Sequence, residues 1–236
     1  GLEGNLLKKQ HSNKKFILLD LFFYAALPYI IWNYGKEPFG DYVAMLVSTI
    51  PGFVYTIYRF ILDKQFNITG LFILGSLALG TTVDLLSGSA EQMIWNGVYL
   101  SLFYSFLYFV ALVIKRPFSL YFAVDFVYLQ GHERKDSKAL FYQKGIFKWF
   151  QFIQIIFIVR GIFLAGLTVY LLENYGVDSY GDMLIYKKIF GWFFSGLIMG
   201  MFFYINIPVR KFFAEQQNQL QDKNNIDSQQ SNIITE

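Results

Sequence analysis

The stretch FIQIIFIVRGIFLAGLTVYL (152–171) holds twenty residues, of which only Arg160 carries a charge. A helix rises about 1.5 Å per residue, so twenty residues match the roughly 30 Å hydrocarbon core of a bilayer. The stretch lies within an apolar block at about 147–172, and comparable blocks occur at about 16–33, 42–62, 68–87, 92–114 and 187–207.

Composition points the same way. Of 236 residues, 55% are hydrophobic, 20% aromatic and only 16% charged, whereas soluble domains carry about 25% charged residues. These features predict an all-α integral membrane bundle of six transmembrane helices over 16–207. A basic segment, 1–15, precedes it, and a polar tail, 208–236, follows. The end of that tail, EQQNQLQDKNNIDSQQSNIITE, has almost nothing apolar to bury and reads as disordered. Between spans four and five, FSLYFAVDFVYLQ (118–130) is apolar but too short to cross, so it is expected in the interface or packed under the bundle. The first block follows Lys8, Lys9, Lys14 and Lys15, as a signal peptide's would. Its length, the lack of a small-x-small cleavage site and the five later blocks predict that it is retained.

The basic residues orient the bundle. If the N-terminus is cytoplasmic, that side holds the four N-terminal lysines, Arg59, Lys64, seven residues from Lys115 to Lys148, and Arg210, Lys211 and Lys223. Lys36 falls outside, together with Lys187 and Lys188 at the edge of the last span. Both termini are therefore expected in the cytoplasm.

Several chemistries are excluded. Without cysteine there is no disulfide, thiolate nucleophile or Cys-ligated metal. His11 and His132 do not cluster, and no HExxH, GxSxG, P-loop or EF-hand pattern occurs. The net charge of +3 is scattered rather than gathered into a patch for nucleic acid. No catalytic residue, cofactor or metal is expected; Asp125 is the one carboxylate in the interfacial segment, and it stands alone. The basic residues between Lys115 and Lys148 suit anionic lipid headgroups.

Charges inside spans are costly, so each is informative. Arg160 sits about eleven residues above the inner edge of span five, and Asp84 about fifteen residues up span three. The height difference of about 6 Å is within an arginine's reach, so Arg160 is expected to face inward and pair with Asp84. Asp20 is expected to pair with Arg59, which also has Asp63 at i,i+4. Such pairs fasten helices, or else line a path for a solute. Pro51-Gly52 predicts a kink in span two that frees the Val47 carbonyl, with Ser48 or Thr49 to satisfy part of the loss. Gly191-x₃-Ser195, Gly196-x₃-Gly200 and Ser76-x₃-Gly80 have the spacing of close helix approaches. NYGKEPFGD (33–41) and NYGVDSYGD (174–182) echo one another, through either duplication of spans 1–2 and 5–6 or shared capping chemistry.

The run from IPGFVYTIYRF (50–60) to RPFSLYFA (116–123) resembles a family of multi-pass bacterial inner-membrane proteins related to intracellular septation protein A. The likeness rests on Pro51 followed by Arg59 in span two, a glycine-bearing polar third span, and the Arg116-Pro117 step after span four. It covers about a third of the chain. It implies a helical protein of the bacterial cytoplasmic membrane linked to envelope maintenance or division, and it carries over no ligand or catalytic residues. Two functions are therefore expected. One is a non-enzymatic envelope component acting through protein partners or a homo-oligomer within the lipid bilayer. The other is a transporter or channel for a small solute centred on Arg160 and Asp84.

Overall fold

Helix boundaries follow local capping chemistry. The computed structural model describes residues 13–64 and 66–234, and all its regular structure is helical; the Lys8-Lys9 start lies outside the described residues. Helix α1 (Asn13–Phe39) stops at Gly40, whose φ of 80° suits a residue without Cβ. Helix α2 (Asp41–Asp63) ends at Lys64, in the left-handed region. Asn67 caps α3 (Ile68–Leu86) by accepting from the Gly70 N–H at 2.9 Å, and Ser89 caps α4 (Ala90–Val113) through the Gln92 N–H at 3.1 Å. Each bond satisfies an N–H that a helix start leaves unpaired. Then follow α5 (Phe118–Leu129), α6 (Arg134–Phe141), α7 (Lys144–Tyr175), a 3₁₀ turn (Val177–Ser179), α8 (Tyr180–Tyr204) and α9 (Asn206–Ile234).

Among the described residues, six helical segments are long and apolar enough to cross a membrane: α1, α2, α3, α4, α7 and the one that begins with α8. Their outward faces carry Val54, Leu71, Phe106, Val159 and Phe193, all exposed. A soluble monomer rarely shows so continuous an apolar surface.

The central contact is α4 against α7. Ser101 Oγ donates to the Gly161 carbonyl (2.9 Å), Ser105 Oγ to Ile158 (3.2 Å), Gln154 Nε2 to Tyr108 (3.1 Å) and Gln151 Nε2 to Leu112 (3.0 Å). As the α4 number rises the α7 number falls, so the helices are antiparallel and zipped over four levels. The approach depends on Gly161, where a Cβ would collide with the Ser105 hydroxyl and lie 3.3 Å from the Ser101 carbonyl. The small-residue spacing that matters is thus Ser101-x₃-Ser105 facing Gly161. At Gly196 and Gly200 nothing comes within 4 Å of an added Cβ.

Two apolar cores lie at opposite ends. Away from the termini, Trp32, Met45, Met93, Ile94, Leu172 and Met183 pack together. At the terminal end, Leu120, Phe141, Ile146, Phe150, Ile153 and Ile205 do so. The short apolar segment joins this second core as α5, packed under the bundle. The Ser119 N–H donates to Gln154 Oε1 at 3.1 Å and its hydroxyl to the Phe150 carbonyl at 2.7 Å. Gln154, fully buried, therefore ties α4, α5 and α7 at once.

The two echoing loops fold differently. In the first, Gly35 is helical and Gly40 has the positive φ; in the second, Gly176 (φ 70°) breaks the chain and Gly181 is helical. Equivalent glycines exchange roles, so the shared letters do not encode one shared cap.

The tail differs from its expectation. It is helical as α9, and every residue from Phe213 to Gln230 is exposed. Beyond Pro208 the segment contains neither proline nor glycine, the two residues that most disfavour a helix, and six of its residues are Gln, a good helix former. Its composition leaves it without a core and still permits a helix.

Candidate functional site

A cavity of about 330 Å³ opens in the half of the bundle away from the termini, and all six long helices wall it. Helix α3 supplies Asp84; α8 supplies Tyr180, Met183, Lys187 and Lys188. Tyr24 comes from α1, Met45 and Thr49 from α2, Met93 and Gly97 from α4, and Thr168 from α7.

Two helix irregularities meet beside this cavity. Helix α1 contains a π-turn at Phe22–Ala26 that includes Tyr24. Helix α2 is divided into Asp41–Ser48 and Ile50–Asp63, with Thr49 between them and Pro51 just beyond. Proline has no N–H to give the preceding turn. The hydroxyls of Ser48 and Thr49 donate to the carbonyls of Met45 (2.6 Å) and Leu46 (2.7 Å), not to the Val47 carbonyl that Pro51 frees, so the expected repair of that loss is not made by these side chains. Gly52 lets the π-turn come close, for a Cβ there would lie 3.0 Å from the Tyr24 ring. The Tyr24 hydroxyl pairs with Thr56 at 2.6 Å, and Ser48 with Tyr180 at 3.0 Å. Broken helices expose backbone and hydroxyl groups that an unbroken helix would satisfy internally, and π-turns are frequent at functional sites.

The charges in the cavity are the informative part. Asp84 and Lys187 are close enough to feel one another's charge, and Lys187, though closely flanked by protein, keeps exposed surface. Among the described residues, neither the Asp84 carboxylate nor the Lys187 ammonium has a hydrogen-bond or ion-pair partner. Lys188 lies 4.8 Å from the Tyr24 ring centre and 5.6 Å from that of Trp192, both within cation–π range. The Tyr42 hydroxyl donates to the Asp84 carbonyl and positions the end of α3 without engaging the carboxylate.

The structure redistributes the residues that the sequence singled out. Arg160 does not pair with Asp84. It is exposed in a furrow beside α8, where glycine makes room: Nη2 would stand 3.6 Å from a Gly191 Cβ. The reason is lateral, since α3 packs mainly against α4 and α5 rather than against α7. Arg160 still contributes positive field at Lys187 and Lys188. Arg59 stands 3.7 Å from Asp20 and 3.3 Å from Asp63, with Tyr55 accepting from it at 3.3 Å and the Phe16 ring centre 4.2 Å away. That group fastens α1 to α2 away from the cavity.

Helix α8 begins at Tyr180, so Lys187 and Lys188 lie seven and eight residues inside it, about 11 Å along its axis. A hydropathy reading treats these lysines as a boundary, and here they line the cavity. The available signal was the lone Asp84 on span three, an acid in an apolar segment that needed a counter-charge.

Asp125 has a different fate. It is 2% exposed and accepts from the Thr69 N–H (2.8 Å) and Thr69 hydroxyl (2.7 Å), and it is paired with Arg134. It caps the start of α3 from α5, with both carboxylate oxygens engaged.

No family model, curated protein or solved structure matches this chain, so the likeness to the septation protein A family rests on the sequence motifs alone.

Proposed function

We propose that this protein is a non-enzymatic solute carrier of the bacterial cytoplasmic membrane, both termini cytoplasmic, which holds a small polar solute in the cavity between its six long helices. The observation that carries the reading is the convergence of Asp84, Lys187 and Lys188 on one open cavity, with Asp84 and Lys187 unpaired among the described residues. Ion pairs that serve only as fasteners are closed, as Arg134–Asp125 is; open charges are expensive to keep unless something binds them. The interrupted α1 and α2 fit this use, because discontinuous helices near the bilayer interior commonly form transporter sites.

The cysteine-free background makes the test direct. In intact membranes, Gly97→Cys and Thr168→Cys variants are expected to react with a water-soluble maleimide, and a Phe150→Cys variant, in the packed core, is not. Protection of both cavity positions would remove the solute-carrier reading.

A role in the bacterial envelope finds support in α9, a long exposed helix beyond the bundle. A photo-crosslinker at Leu220 is expected to capture a protein partner or a second copy in cells, and an adduct-free chain would count against this role.

A further inference from the structure

We infer that the ligand of the cavity is a zwitterion, an α-amino acid with an apolar side chain, whose ammonium meets Asp84 and whose carboxylate meets Lys187 and Lys188. The inference rests on the solute-carrier reading and adds the ligand's charge pattern and shape. Opposite charges stand on different helices, Asp84 on α3 and the lysines on α8, near enough to interact but not joined within 4 Å. A simple anion would be drawn to the lysines, with Arg160 behind them, and repelled by Asp84. A simple cation would meet the reverse. A molecule carrying both signs satisfies both walls and supplies the partners that Asp84 and Lys187 lack. The rest of the lining points to the remainder of the ligand. Met45, Met93 and Met183 border the cavity from three helices, and flexible, polarisable thioethers adapt to varied apolar shapes.

The test uses three shape-matched pools on the full chain in detergent, read by the thermal unfolding midpoint. The first contains leucine, methionine, valine and phenylalanine; the second their deaminated carboxylic acids; the third their decarboxylated amines. The amino-acid pool is expected to raise the midpoint at concentrations at least tenfold below those needed with either other pool. In the Asp84→Asn chain this advantage over the carboxylic acids disappears, and in the Lys187→Met chain the advantage over the amines disappears. Equal response to acids and amino acids, or no response to any pool in a chain whose Gly97→Cys variant is labelled, overturns the inference and leaves the water-filled cavity standing. Failure of that labelling instead removes the carrier reading itself. If either charge variant does not fold, the pool comparison on the unsubstituted chain decides alone.

Discussion

The two ends of the bundle each hold a carboxylate away from bulk solvent, and they treat it in opposite ways. At the terminal end, Asp125 accepts from Thr69 twice and pairs with Arg134, all within a clasp of α3, α5 and α6. At the other end, Asp84 faces a cavity across from Lys187, with the charges apart. A satisfied buried charge holds structure together; an unsatisfied one retains interaction free energy for a ligand. The same residue type therefore marks a fastener at one end and a candidate site at the other.

The comparison can be broken most directly at Asp125. Asp125→Ala leaves the Thr69 N–H and hydroxyl without their acceptor and releases Arg134, which is 40% exposed, and is expected to cost about 1–3 kcal/mol for each donor left unpaired. A midpoint in detergent within a degree of the unsubstituted chain would show the clasp to be idle. Next comes Gln154→Leu, which strips partners from the Ser119 N–H and the Tyr108 carbonyl; each buried orphan costs about 1–3 kcal/mol. The loss should appear as α5 becoming protease-sensitive before α1 does. Gly161→Ala forces α4 and α7 apart and is expected to cost about 1–3 kcal/mol, as overpacking does, whereas the same change at Gly196 leaves the midpoint unmoved. Asp84→Asn sharpens the comparison from the other side. It breaks no bond, so the unliganded chain is expected to stay within about 0.5 kcal/mol of the original, while ligand-induced stabilisation is lost. The smallest effect belongs to Asp63→Asn, which loosens one arm of an exposed ion pair and is expected to cost about 0.5 kcal/mol or less.

Local features were readable in the chain to the extent that their causes are local. The i,i+4 spacing of Arg59 and Asp63 places them on one helix face, and Pro51 announces an interruption because its missing N–H is a property of that residue alone. The junction of α4 and α7 is another matter, since Gly161 means little until Ser101 and Ser105, some sixty residues earlier, arrive beside it. Asp125 looks isolated along the chain because its donors, Thr69 and Arg134, come from other helices. Arg160 and Asp84 have similar expected heights, but height along parallel axes says nothing about which helices are neighbours.

From its amino acids alone, this chain determined six apolar helices, their approximate lengths and the short apolar segment between the fourth and fifth, because hydrophobicity and helical rise act residue by residue. Only the tertiary structure decided which charges close on one another and which stay open. That depends on lateral packing, through Gly161, Gln154 and the break at Thr49, which brings Asp84 and Lys187 to one cavity and leaves Arg160 in a furrow outside it.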